Sequence, residues 1–374
     1  MKFFILHLLL CLLACGCSSP RRGAAPLPDS LVAHFQPPPE FAGKMGSFRS
    51  PQFFTDGSRV QSARDWPRRR AEIFSYWHGV MGAWPPLLEK PKLEVLRQER
   101  RENFSQRRVR IETGPGQTQE GWLLVPEGRG PFPAVLVVYY EPETSVGLNE
   151  EEKHRFRDYG RQLARRGFVT LNLGTPGGNA WQPDLGQAIC QPLSYHAYVA
   201  ANGWQVLAAL PEVDASRIGV IGHSYGGKWA LFAAALWEKF ACVAVSDPGI
   251  VWDETKPNVN YWEPWYLGLD AAQPRPKAGV PSAANPRTGP YARLVKEGHD
   301  LTDLHALICP RPFLVSGGSE DGPERWTALN HASAVNDRLG FKHRVGMTNR
   351  AAHSPDEKAN AVVWEFFEWA LRAK

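Results

Sequence analysis

The sequence predicts an α/β protein: a mainly parallel, doubly wound sheet flanked by helices, with an N-terminal extension. Three observations lead there. Beyond Pro133, short apolar runs of strand length alternate with helix-length segments. The first run, PAVLVVYY (Pro133 to Tyr140), is continuously apolar, as a strand covered on both faces must be. The alternation then repeats to the end of the chain, and successive βα units favour parallel pairing, with functional groups at the C-terminal ends of the strands.

Taken in order, residues 1–17 read as an export signal. Lys2 precedes an apolar run from Phe3 to Leu13, too short for a permanent membrane span. Leu12-Leu13-Ala14-Cys15 matches a bacterial lipobox, and Cys17 is a second candidate for lipidation. The expectation is a periplasmic or cell-surface lipoprotein that touches the membrane only through an N-terminal lipid anchor; a plain cleaved signal is the alternative. Residues 18–92 form a Pro-, Ser- and Arg-rich linker that gains helical and aromatic character in ARDWPRRRAEIFSYWHGVMGAWPPLL. Residues 93–374 are the main domain. There RRVRIET and TQEGWLLVP predict an antiparallel pair, followed by the strand from Pro133, a helix over 151–166 and strand FVTLNL. A helix over 193–210, strand RIGVIG, a helix over 227–237, and strands CVAVSD, RPFLVSGG and HRVGMTN come next, closed by an amphipathic helix from Asp356.

Composition narrows the function classes. With 43% hydrophobic and 22% charged residues in 374, the chain is an ordinary globular protein. Its +5 charge is spread along the sequence rather than gathered into a basic face, which argues against a nucleic-acid partner. Outside the leader only Cys190, Cys242 and Cys309 remain, without metal-ligand spacing, so no metal and at most one disulfide are expected.

The segment RIGVIGHSYGGKWAL admits two readings. Gly222 to Lys228 fits most of a phosphate-binding loop, but the hydroxyl that should follow the lysine is Trp229. Gly222-His223-Ser224-Tyr225-Gly226 fits G-x-S-x-G, where small neighbours let a tight strand-to-helix turn present a nucleophilic serine at a helix N-terminus. A serine needs a base and an acid. Asp321 lies just past RPFLVSGG and His353 just past HRVGMTN, each at the end of its own strand, in the order Ser, Asp, His.

With these features the main domain resembles the α/β-hydrolase superfamily. Within it the chain is similar to the exported dienelactone-hydrolase and acetyl-xylan-esterase-like carboxylesterases, and GHSYGGKWAL also resembles the glucuronoyl esterases. The resemblance implies a cofactor-free serine esterase in which Ser224 attacks a carbonyl, His353 shuttles the proton and Asp321 orients the imidazole. The oxyanion would be held by the backbone N–H of Tyr225 with that of Tyr140 or Glu141, although Tyr139-Tyr140-Glu141 stands where relatives carry His-Gly. Asp247, in AVSDPG, and Glu320 are alternative acids; Asp321 is preferred because it follows Gly318 by three residues, the usual turn. Lys228 matches a sugar-contacting lysine of glucuronoyl esterases or is a helix-surface lysine. Trp252, Trp262 and Trp265 in the insertion after CVAVSD, with Trp181, offer flat faces for a sugar ring, or else form a small lid core. The preferred substrate is a carbohydrate or small acyl ester outside the cytoplasm. The rivals are a prolyl-oligopeptidase-like serine peptidase, lacking any propeller segment, and an inactive carbohydrate-binding surface lipoprotein. A haloalkane dehalogenase is disfavoured because its elbow nucleophile is an aspartate.

Overall fold

A computed structural model of the chain describes residues 26–152, 155–180, 182–256, 266–270, 272 and 279–372. The leader, with Cys15 and Cys17, lies outside them. No described helix is long and apolar enough to cross a membrane.

Nine described strands form one sheet in the order β1-β2-β3-β5-β4-β6-β7-β8-β9. Strands β1 (Leu93–Arg101), β2 (Phe104–Gly114) and β3 (Gln117–Pro126) form an antiparallel meander, and β3 joins β5 antiparallel. From there β5 (Val169–Leu173), β4 (Phe132–Val138), β6 (Val213–His223), β7 (Val243–Ser246), β8 (Phe313–Gly317) and β9 (Val345–Asn349) are all parallel. The period-two geometry of β4 explains its continuous apolar run: Ala134, Leu136 and Val138 face one core, Val135 and Val137 the other.

The larger core lies under helices α3 (Pro192–Ala209), α4 (Tyr225–Leu236), α6 (Thr302–Ile308) and α7 (Trp326–Arg338). The opposite face is covered by α2 (Tyr159–Arg165) and the amphipathic α8 (Glu357–Arg372). The extension contributes α1 (Trp66–Met81), whose Trp66, Ile73, Trp77 and Met81 are buried in the larger core. Leu31 and Phe35 add to the smaller core, where Phe35 meets Trp369 edge-on at 5.7 Å. The three body cysteines are buried and free.

Two expectations change. The helix expected over 151–166 is helical only from Tyr159 to Arg165. Ahead of it, Arg157 reaches out of the helical path to Glu152 (2.7 Å), the Tyr139 hydroxyl (3.0 Å) and Ser354 Oγ (2.8 Å), tying this loop to the end of the sheet. Helices α5 (Gly289–Lys296), α6 and α7 are additional to the elements expected from the sequence.

Candidate active site

β6 runs into α4 through a single residue. Ser224 has φ 54° and ψ −121°, a conformation that costs about 1–3 kcal/mol and persists only when its surroundings enforce it. The enforcement is steric. A Cβ on Gly226 would sit 2.1 Å from the Val138 carbonyl oxygen, and one on Gly222 would sit 2.1 Å from that of Gly226. Only glycine lets the elbow close this tightly. The Ser224 N–H donates to the Ser246 carbonyl (2.8 Å), and the Ser224 carbonyl accepts the Lys228 N–H (3.0 Å).

Ser224 Oγ lies 2.9 Å from Nε2 of His353, and Nδ1 of the same ring lies 2.8 Å from Oδ2 of Asp247. His353 is about one-third exposed, while Asp247 is fully buried. The acid is therefore a correction: Asp321, preferred from the sequence, is not the carboxylate against the histidine. The cause is the turn after β8. Its amides point at Asp247, with Asp321 N–H donating to Oδ1 at 2.8 Å and Glu320 N–H at 3.2 Å. A Cβ on Gly318 would meet Asp247 Oδ2 at 2.6 Å, so the glycine that recommended Asp321 makes room for Asp247 instead. The Asp321 carboxylate turns inward and accepts the N–H groups of Gly249 (2.8 Å) and Ile250 (2.7 Å). Burial, and then the charge of Asp247, push its pKa up to about 6. The Glu320 side chain meets Ser319 Oγ and does not reach the imidazole.

The loop carrying His353 is held by an arginine that sequence reasoning did not single out. Arg350 donates to the carbonyls of His353 (2.6 Å), Ser354 (2.9 Å), Ser316 (2.8 Å) and Gly317 (3.1 Å), and to Ser246 Oγ (3.2 Å). Its planar fork thus fastens three strand ends to one another. Its only sequence signal is its place one residue past β9. His223, inside the elbow, packs its buried ring 4.7 Å from that of His353, centroid to centroid, with Nδ1 3.0 Å from Ser246 Oγ. Burial, and next the neighbouring His353, hold it neutral.

At the expected oxyanion position the Tyr225 N–H belongs to the first turn of α4, whose amides the helical ladder does not use. The Tyr140 ring packs 4.9 Å from the Tyr225 ring, and the Tyr140 carbonyl accepts Thr175 N–H. Glu141 is extended, and its carboxylate is engaged by Thr144 and Asn149. The Tyr225 hydroxyl meets Nε2 of the buried His196, a contact the sequence did not signal.

Two proposed substrate contacts are corrected. Lys228 is fully buried, on neither a substrate surface nor an open helix face, and its Nζ donates to the Gly249 carbonyl. It pins the turn that follows Asp247. Trp252 packs between Trp77 of the extension (6.1 Å) and Tyr291 (5.3 Å), with its indole nitrogen buried. That partly buried ring joins α1 to the main domain. Trp181, Trp262 and Trp265 lie outside the described residues.

The arrangement can deprotonate a serine hydroxyl beside a helix N-terminus, the chemistry of acyl transfer. The fold agrees with solved structures of such proteins. A glucuronoyl esterase from Solibacter usitatus superposes with a TM-score of 0.66 at 17% identity, covering 86% of this chain and 97% of that one. A carbohydrate esterase family 15 glucuronoyl esterase from Caldicellulosiruptor kristjansonii gives 0.61 at 20% identity over 89% and 92%. A glucuronoyl esterase from Sporotrichum thermophile gives 0.58 at 18% over 87% and 88%. The model of the Prolyl oligopeptidase family matches residues 159–294. No curated protein matches the sequence. At these identities the likeness defines the fold, and the chain has the α/β-hydrolase fold.

Proposed function

We propose that this protein is a serine carboxylic-ester hydrolase acting on carbohydrate esters outside the cytoplasm. The observation that carries the reading is the continuous chain from Ser224 through His353 to Asp247, at 2.9 and 2.8 Å, on a strained elbow. As Ser224 Oγ attacks the ester carbonyl carbon, its proton passes to Nε2 of His353. Asp247 accepts the Nδ1–H and stabilises the imidazolium. Backbone N–H groups at Tyr225 and at Tyr140 or Glu141 hold the oxyanion. Collapse breaks the C–O bond, the leaving alcohol takes the proton from His353, and water repeats the sequence on the acyl-enzyme to release the acid. No cofactor enters these steps.

The carbohydrate part of the reading is supported by the likeness to glucuronoyl esterases, and export by the leader with its lipidation candidates at Cys15 and Cys17. The match of residues 159–294 to the Prolyl oligopeptidase family favours a second reading, a serine peptidase. One experiment separates them. Residues 18–374 and the Ser224→Ala variant are assayed on p-nitrophenyl acetate, methyl glucuronate, acetylated xylan and a proline-containing peptide anilide. Cleavage of an ester lost in the variant supports the esterase; cleavage of the anilide alone overturns it in favour of the peptidase.

A further inference from the structure

A cavity of about 240 Å³ lies between the β2–β3 hairpin and the loop after β5. It is lined by Thr113, Gln117, Thr118, Gln119, Asp184 and Tyr195, with Pro176 and Gly177 from the loop after β5. The C-terminal end of β5, the β3 residues that open that strand, and Ser224 all lie at one end of the sheet, because β3 runs antiparallel to β5. β5 is two strands from β6 and β3 is three, so the cavity lies about 10–14 Å from the elbow's strand, or about two pyranose rings. The path between them is built: the Thr175 N–H donates to the Tyr140 carbonyl (2.9 Å), and the Tyr140 ring packs on Tyr225, next to Ser224.

The lining is polar and preset. The Tyr195 hydroxyl donates to Gln117 Oε1, and the Gln119 amide donates to the Gly174 carbonyl. Gly186 packs against the Gln117 amide so closely that a Cβ there would overlap it, at 2.3 Å from Nε2. Asp184 is fixed at both ends, its N–H on the Pro176 carbonyl (2.9 Å) and its Oδ1 on the Gly186 N–H (2.8 Å). The walls contain hydroxyls, amides and one carboxylate, and none of the lining residues is cationic. Such a surface matches the alternating donors and acceptors of a neutral sugar, whereas a uronate or phosphate would meet Asp184 without a compensating charge. We infer that this cavity is a distal subsite for a neutral sugar residue of the chain that bears the ester. The inference rests on the esterase reading for its biological role and deepens it: the reacting ester sits at Ser224 while the hairpin grips the polysaccharide.

The test compares methyl glucuronate with the same ester attached to a xylopentaose chain, using the wild type and the variants Thr118→Trp, which fills the cavity, and Asp184→Ala, which removes an acceptor. Both positions are exposed, and thermal melts verify that the variants fold. The wild type is expected to favour the chain ester in kcat/KM by about tenfold, and each variant to reduce that preference severalfold through KM. A preference identical in all three proteins, or absent from the wild type, overturns the subsite. A second readout keeps this separate from the esterase reading: titration of unesterified xylopentaose onto the Ser224→Ala protein by calorimetry. Thr118-dependent binding without any ester cleavage upholds the subsite and sinks the esterase. Ester cleavage with no xylopentaose binding and no chain preference does the reverse.

Discussion

Replacing Asp247 and Asp321 one at a time by Asn separates the carboxylate that faces the histidine from the one that shapes its surroundings. Asp247 Oδ2 is the acceptor for His353 Nδ1 at 2.8 Å, and the turn amides of Asp321 and Glu320 already hold the carboxylate in place. An amide at 247 removes the charge that stabilises the imidazolium and can turn its NH₂ toward Nδ1, leaving Nε2 protonated and unable to take the serine proton. A change of this kind lowers kcat by about 10³–10⁴. That corresponds to about 4–5.5 kcal/mol at 1.36 kcal/mol per factor of ten. Asp321, by contrast, touches neither Ser224 nor His353; it accepts the amides of Gly249 and Ile250. In Asp321→Asn the side-chain oxygen keeps one of these bonds and orphans the other N–H, a loss of about 1–3 kcal/mol in stability, with kcat within about tenfold of the wild type. The assay is p-nitrophenyl acetate turnover at pH 8, paired with urea unfolding of each variant. A fall of 10³ in Asp321→Asn with Asp247→Asn within tenfold would refute the assignment drawn from the geometry.

Three further outcomes follow from the same contacts. Gly226→Ala should destabilise the fold by about 3 kcal/mol or more and abolish turnover, because the new Cβ lies 2.1 Å from the Val138 carbonyl; a near-normal melting temperature would show that β4 yields easily. Arg350→Ala should lower kcat with little change in KM by freeing the His353 carbonyl and its loop, whereas a raised KM with kcat unchanged would assign Arg350 to substrate binding. Acidification from pH 7 to 5 should destabilise the protein. Burial depresses both His196 and His305 to about 3 from an ordinary value near 6.5, so each contributes stability that is full above 6.5 and is lost as pH falls, on the order of 2 kcal/mol by pH 5. Asp321, raised to about 6, works in the opposite sense and returns about 1 kcal/mol over that range. Urea midpoints at the two pH values check the net loss, and equal or greater stability at pH 5 contradicts it.

What could be read from the sequence, and what could not, follows from the range of each interaction. The elbow was legible because its determinants are local: the glycines around Ser224 are needed within the turn itself, and the apolar run of β4 records burial on both faces of one strand. His353 was legible because it stands just past the last strand, at the same end of the parallel sheet as Ser224. The acid was not, because Asp247 and Asp321 each follow a strand and the choice between them depends on a turn 74 residues away in sequence placing its amides on one carboxylate. Lys228 and Trp252 misled for a related reason. Position relative to Ser224 says where a side chain begins, whereas the Gly249 carbonyl and the rings of Trp77 and Tyr291, all distant in sequence, determine where it ends. The extension was the least legible element, since a Pro- and Arg-rich segment gives little sign of the partner it will bury. Yet Trp77 donates to Asp303 at 3.0 Å, and Asp303 binds His299, which lies 2.8 Å from Arg49. With Trp77, Asp303 and His299 buried, this polar chain makes the extension part of the catalytic domain's own core, so deleting residues 26–92 should cost the fold and not merely an appendage.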